Sequence, residues 1–372
     1  MTSNPLRRLH TEFGQSPWLD NLRRGWITSG QLATMRDRGV RGLTSNPTIF
    51  QKAIQGSPDY DIQFAALSRD HVSPIDAYWE LVLRDIDAAL DVFASVYEES
   101  RGTDGFVSVE VDPGLAHDAS GTLLAARGLH QRIARLNVMI KIPATKEGLP
   151  AIRTMIAEGR SVNVTLIFSL ERYAQVLEAY LSGLEDRLAS GVGDLSPIAS
   201  VGSFFISRVD TEVDRRLDAI GTPAAQQLRG CAAIAQAQLA YALFRDAFSG
   251  ARWSRLAAAG AQLQRPLWAS TSTKNPQYRD TLYVDELIGS DTVNTLPDAT
   301  LEAFDDHGRL ARTIDVNIDS ARKAWNDIAE MGVDHAAVAE QLEREGVSSF
   351  QKSFDELLTA LTAKAATLRD DS

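Results

Sequence analysis

Short apolar runs rich in β-branched residues alternate along this chain with longer stretches whose apolar positions recur at helical spacing. Such alternation predicts strands and amphipathic helices in turn. The strand-like runs fall at 18–20, 40–45, 106–112, 137–143, 162–168, 199–206, 266–271 and 292–296. Helix punctuation stands between them. Asn46-Pro47, Ser57-Pro58 and Ser73-Pro74 each pair a capping residue with proline at the first helical position, and Ser169 precedes the run ERYAQVLEAYLSGLEDRL. Gly39 and Gly159 sit where helices should stop, just before strands. The stretch 209–264 is too long for one helix and predicts two or three. The tail from about 312 predicts further helices, with DSARKAWNDIAEM and AVAEQLEREGV as candidates. No internal repeat or low-complexity segment is present.

Strands alternating with helices imply parallel pairing through right-handed crossovers. Eight such units predict an α/β fold, a closed (β/α)8 TIM barrel with extra helices and a C-terminal helical extension. The expected division is a catalytic barrel over 1–311 and an extension packed on it over 312–372. The rival, an open doubly wound sheet, would carry a Gly-rich phosphate turn. Neither G-x-G-x-x-G nor G-x-x-x-x-G-K-[ST] occurs in the chain.

A parallel strand covered on both faces should read as a nearly continuous apolar run. Three strands break this rule in the same way. In 137–142, Val138, Ile140 and Ile142 share one face and Lys141 shares the other with Asn137 and Met139. In 106–111, three valines oppose Ser108 and Glu110. In 162–167, Val162, Val164 and Leu166 oppose Asn163 and Thr165. Within a barrel the polar faces line the interior, so Lys141, Glu110, Thr165 and Asn163 converge near the C-terminal mouth, where barrel sites lie. A buried charge needs a partner or a purpose. One reading is a structural Lys141–Glu110 ion pair. The other is a desolvated amine, whose neutral form is a nucleophile toward carbonyl carbon.

Further polar residues fall at the same strand ends, each with a plain reading beside the functional one. Asp20 ends the first strand and reads equally as a turn or capping aspartate. Asn46 reads as the cap of the next helix and as a ligand. Ser203 and Arg208 lie in SVGSFFISR; an arginine there is either a surface charge or a fork for phosphate. Ser270, Ser272 and Lys274 lie in LWASTSTKNP, either a polar turn or part of the phosphate site that barrels often build after strands seven and eight.

Composition narrows the setting. Of 372 residues, 44% are hydrophobic and 23% charged, which excludes disorder for most of the chain. The 38 basic and 49 acidic residues give a net charge of −11, so neither nucleic acid nor an acidic membrane surface is an expected partner. Cys231 is the single cysteine, which rules out an intramolecular disulfide or a multi-cysteine metal site and suits a reducing compartment. The first residues lack the apolar core of a secretory signal, and no window approaches the ~18 apolar residues of a membrane span. A cytoplasmic protein is the expectation.

The runs GLTSNPTIFQKAI, VSVEVDP, VMIKIPAT, EGRSVNVTLIFSLERY, VGSFFISRVD and LWASTSTKNPQYRDTLYV resemble the transaldolase family, in its longer form with a TVNTLP…DHG ending. The resemblance runs from about Trp18 to His307 and more loosely through the tail. It implies a (β/α)8 barrel performing Schiff-base aldol transfer on sugar phosphates in the pentose phosphate pathway, with no metal and no organic cofactor. It implies Lys141 as the Schiff-base lysine, Asp20 as the acid/base for carbon–carbon cleavage, and Glu110 with Thr165 as holders of a catalytic water. Asn46, Asn163 and Ser203 would bind substrate hydroxyls and Arg208 the phosphate, and Ser270 matches the family serine after the seventh strand. Shorter members carry an arginine soon after that serine. Here Lys274 stands nearest and is the replacement candidate. A simple class I aldolase and a non-catalytic sugar-phosphate binder are the rival readings; the oligomeric state stays open.

Overall fold

Eight parallel strands pair in chain order and the eighth returns to the first, so the barrel has no open edge. The computed structural model describes residues 4–370. The strands are β1 (Gln15–Leu19), β2 (Leu43–Thr44), β3 (Val107–Glu110), β4 (Val138–Pro143), β5 (Val162–Ile167), β6 (Ser200–Phe205), β7 (Gln264–Ala269) and β8 (Thr292–Leu296). This is the expected (β/α)8 fold. Boundaries shift by one or two residues at several strands, β3 and β7 among them, and two strands differ further. β1 begins earlier and ends just before Asp20, and β2 keeps only two residues of the run 40–45.

Helix punctuation works as its chemistry requires. The side chains of Asn46, Ser73 and Ser169 each accept a hydrogen bond from a backbone N–H three residues on. Ser57 caps only a short 3₁₀ turn. The connection between β6 and β7 holds four helices rather than two or three: Ser207–Ile220, Pro223–Gln227, Ala232–Ala247 and Gly250–Ala258. The second and third of these are parted by a turn that contains Gly230, whose φ of +72° a glycine adopts without strain.

The interior is built as layers. At the lower end, Asp104 is 1% exposed and accepts from Ser16 Oγ at 2.6 Å, Trp18 Nε1 at 2.9 Å and Arg41 Nε at 2.8 Å, with Arg265 at 3.1 Å. The Trp18 ring packs against Gly42 of the neighbouring segment, where a Cβ would stand 2.6 Å from it. Parity fails at two places. Asn137 precedes β4 and donates to the carbonyls of Leu90 and Gly105, so it closes the lower end instead of joining Lys141. Leu166 takes a φ of +60° where the β5–β6 register shifts, and its side chain reaches the C-terminal helix. It therefore does not share the helix-facing side of Val162 and Val164.

The tail forms Ile318–Glu330 and one continuous helix, His335–Asp370. The candidate AVAEQLEREGV is extended at both ends into this helix, which runs on through Gly346. Val338, Leu342, Phe350, Phe354, Leu357 and Leu361 repeat at intervals of three, four or eight and are buried in the same core as the barrel. Gly346 sits in this stripe where the helix comes closest to the barrel; a Cβ there would lie 2.9 Å from Leu166 Cδ2 and 3.5 Å from an Arg208 nitrogen. Glycine inside a helix costs about 1 kcal/mol against alanine, and close approach offsets it. Hydrogen bonds Thr48–Ser353 (2.8 Å) and Arg216–Gln341 (2.9 Å) tie the helix down on two sides of the mouth.

Candidate active site

A cavity of about 130 Å³ opens at the C-terminal ends of the strands. Asp20, Asn46, Lys141, Ser203, Arg208, Ser270 and Lys274 line it, together with Ser272, Thr44, Thr295, Phe205 and Phe350. Glu110, Asn163 and Thr165 do not reach its wall. They are buried beneath it.

Register places Glu110 beside Lys141, and Lys141 beside Asn163. Lys141 is 4% exposed; its Nζ lies 3.2 Å from Glu110 Oε2 and donates to the Ser45 carbonyl at 3.2 Å. The Glu110 contact is an ion pair by distance without hydrogen-bond alignment, since neither carboxylate oxygen is satisfied by a protein donor. Thr165 Oγ1 is likewise buried with no hydrogen-bond partner. Buried polar atoms are ordinarily satisfied, so this pair has capacity for a third species. Burial pushes the Glu110 carboxyl above the usual carboxylate range, and the neighbouring Lys141 charge opposes that rise.

Asp20, one residue past β1, accepts from Thr44 Oγ1 at 2.8 Å, and Thr44 Oγ1 is 2.7 Å from Thr295 Oγ1. The carboxylate can only accept, so Thr44 donates to Asp20 and Thr295 donates to Thr44. Burial raises the Asp20 carboxyl, against the Lys141 charge and the Thr44 hydrogen bond. Asn46 caps its helix through Oδ1, accepting from Ile49 N at 3.0 Å, while also lining the cavity. Asn163 is held from both ends: Nδ2 donates to Ser108 Oγ at 3.0 Å and Oδ1 accepts from Ser203 Oγ at 2.7 Å. Its hydrogen-bonded link to the cavity wall is Ser203.

Two cations mark the rim. Arg208 is the second residue of Ser207–Ile220, half-buried, with its guanidinium carbon 5.3 Å from the Phe205 ring. Burial pushes it down, and the charges of Asp20, Glu345 and Glu110 oppose this. Lys274 is exposed and donates to Ser272 Oγ at 2.7 Å. Partial burial, and then Arg208, lower its pKa. Ser270 leaves β7 at a φ of +57° with its Oγ 2.9 Å from Ser207 Oγ. A left-handed non-glycine residue costs on the order of 1–3 kcal/mol, and here it turns the chain into the mouth.

Thr44, Thr295, Phe205 and Phe350 were not singled out from the sequence. Neither Thr44, in a two-residue strand, nor Thr295, which shares a face with Val293 opposite Thr292 and Asn294, stands out by alternation, and a threonine in a strand reads as ordinary β-propensity. Phe350, 4% exposed, has its ring 5.8 Å from Lys141 Nζ; it comes from a helix that no local pattern places over the mouth.

A closed parallel barrel whose charged side chains converge at the C-terminal strand ends is the architecture of the (β/α)8 enzymes. The family model described as Transaldolase/Fructose-6-phosphate aldolase matches residues 17–361. The chain is 53% identical over 361 residues to a protein named Transaldolase from Parafrankia sp. (strain EAN1pec), covering 96% of this chain and 97% of that one. It is 50% identical to Transaldolase 1 of Streptomyces coelicolor over 363 residues, covering 97% and 95%. It is also 50% identical to Transaldolase of Thermobifida fusca over 365 residues, covering 98% and 99%. The chain belongs to the transaldolase/fructose-6-phosphate aldolase family. Among the described residues no helix is long and apolar enough to cross a membrane.

Proposed function

We propose that this protein is a transaldolase, moving a dihydroxyacetone unit from a ketose phosphate to an aldose phosphate through a Schiff base on Lys141. Fructose 6-phosphate and sedoheptulose 7-phosphate are the proposed donors, and erythrose 4-phosphate and glyceraldehyde 3-phosphate the acceptors. The observation that carries this reading is Lys141 itself. It is a nearly inaccessible amine on the cavity wall, 3.2 Å from a buried carboxylate, below two cations at the rim.

The Lys141 amine attacks the ketone carbon. Glu110 and Thr165 hold the water through which protons pass as hydroxide leaves and the iminium forms. The iminium is the electron sink for breaking the bond between carbons three and four, so the scheme calls on no metal or organic cofactor. Asp20, as carboxylate, takes the proton from the hydroxyl on carbon four. The aldose phosphate departs and a three-carbon enamine stays on Lys141. A second aldose phosphate enters and the steps reverse. Arg208 and Lys274 grip the phosphate, Asn46, Ser203 and Ser270 meet hydroxyls, and Asn163 orients Ser203. Positioned acid/base groups contribute roughly 10²–10⁴-fold each.

Transfer requires that water not protonate the enamine. Phe205 and Phe350 supply apolar wall beside Lys141, which supports transfer over release of free dihydroxyacetone. The relatives' names support the same reading. The barrel over 1–311 is proposed to carry the chemistry and the segment 312–372 to extend it. A cytoplasmic location fits the acidic charge and the lone cysteine. The test is borohydride trapping with fructose 6-phosphate, followed by peptide mapping and a product assay with and without erythrose 4-phosphate. One sugar fragment on the Lys141 peptide, with turnover dependent on acceptor, is expected. Label on another lysine or no label overturns the Schiff-base assignment. Turnover independent of acceptor makes the protein a simple aldolase.

A further inference from the structure

Three side chains of one helix hold the segment that carries Lys274. Ser207, Asp210 and Asp214 are spaced i, i+3, i+7 in Ser207–Ile220 and so share a face. Each bonds a different point of 270–283, the stretch that follows β7. Ser207 Oγ lies 2.9 Å from Ser270 Oγ, Asp210 Oδ2 accepts from Tyr283 OH at 2.7 Å, and Asp214 Oδ2 accepts from Tyr278 OH at 2.5 Å. Between Ala269 and Leu282 this stretch has no regular helix or strand of its own. The second carboxylate oxygens are also committed: Asp210 Oδ1 accepts from Ala233 N at 2.7 Å and Asp214 Oδ1 from Gly230 N at 2.8 Å. Gly230 lets the Tyr278 ring press against its backbone, where a Cβ would stand 2.9 Å from the ring. The same helix presents Arg208 to the cavity, one residue after Ser207.

We infer that the Asp214–Tyr278 and Asp210–Tyr283 bonds are a positioning device that keeps Lys274 in register with Arg208, and so set the preference for phosphorylated substrates. The inference rests on the proposed reading of Arg208 and Lys274 as the phosphate grip. A loop without regular helix or strand pays its ordering entropy when substrate binds unless other contacts have already fixed it. Two buried carboxylates fix this one beforehand, at the two tyrosines that follow Lys274. A merely structural clamp would change stability and leave substrate preference untouched.

The experiment compares glyceraldehyde 3-phosphate with glyceraldehyde as acceptor, at saturating fructose 6-phosphate, in the full-length enzyme. Tyr278→Phe removes only the hydroxyl. It is expected to raise the KM for the phosphorylated acceptor about 5- to 20-fold, part of the worth of a hydrogen bond to a charged group. kcat, and the kinetics with glyceraldehyde, should stay within about twofold. Asp214→Asn should act in the same direction and serves if Tyr278→Phe folds poorly by thermal melting. In a Lys274→Ala background, Tyr278→Phe should add less than about twofold, because contacts acting through one residue are not additive. Equal loss with both acceptors, or full additivity on Lys274→Ala, overturns the positioning role. If Lys274→Ala itself does not discriminate between the acceptors, the phosphate reading falls, and the inference with it. If Lys274→Ala discriminates and Tyr278→Phe does not, only the inference falls.

Discussion

At the scale of residues, the site is a set of carboxylates kept from their ordinary behaviour by burial and drawn back by one lysine. Glu110 and Asp20 both sit above the usual carboxylate range, yet their neighbours differ. Glu110 faces the amine without an aligned hydrogen bond, whereas Asp20 has a dedicated donor in Thr44. This predicts separable roles. Asp20→Ala should still form the imine but cleave slowly, so a six-carbon adduct should accumulate on Lys141. Glu110→Ala should slow imine formation itself. Mass spectrometry after a timed borohydride quench reads the difference; the same adduct at the same rate in both variants would show one coupled unit instead. Thr44 gives a second test. Its hydroxyl favours the charged form of Asp20, so Thr44→Val should raise the Asp20 pKa further. Activity that needs the carboxylate is lost as pH falls through that pKa. The acid limb of the transfer rate should therefore move to higher pH; an unmoved limb would remove Asp20 as the titrating base.

At the scale of elements, the C-terminal helix decides how dry the site is. Its buried stripe runs across the mouth, Gly346 lets it settle against Leu166 and Arg208, and Phe350 stands over Lys141. Phe350→Ala should increase release of free dihydroxyacetone relative to transfer by about tenfold, on the order of 1.4 kcal/mol of lost protection of the enamine. The helix should stay seated through Leu342, Phe354 and Leu357. Assays of product with and without acceptor measure the ratio, and an unchanged ratio would leave Phe350 a packing residue only. The sequence pattern offered only AVAEQLEREGV as helix here, with a glycine inside it that lowers helix propensity. The close approach that justifies the glycine is visible only once the barrel stands beneath it.

At the scale of the whole molecule, chemistry and stability occupy opposite ends of the barrel. The C-terminal mouth carries strained Leu166 and Ser270 and unsatisfied Glu110 and Thr165. The lower end carries Asp104, fully hydrogen-bonded. Burial alone would raise its carboxyl, but Arg265 and Arg41 more than offset this and hold it below its ordinary 3.8. Asp104→Asn should lower unfolding free energy by about 2–3 kcal/mol, at or below the low end for breaking a buried pair because both guanidiniums keep some access to water. The native pKa is depressed, so this contribution is present above the ordinary value and lost as pH falls through the native one. Urea unfolding of both proteins at pH 7 and well below pH 3.8 should show the gap narrowing with acid; a constant gap would assign the effect to packing.

What the sequence determined by itself was periodic. The alternation of faces in β3 and β4 is a local property, and it suffices to turn Glu110 and Lys141 inward and to predict eight strand–helix units. Capping chemistry is equally local, and Asn46, Ser73 and Ser169 act as it requires. What tertiary structure decided was everything that depends on register and closure. Lys141 stands beside Glu110 because β3 and β4 pair in one register, and Asn163 lies beneath the cavity because Ser203 and Ser108 hold it there. A bulge at Leu166 breaks the parity that its neighbours keep. Phe350 reaches Lys141 although it stands 209 positions further along the chain. A period reports which face a residue takes within its own element. It carries no information about which other element covers that face, since that choice is made by the long-range packing that repays the entropy of folding.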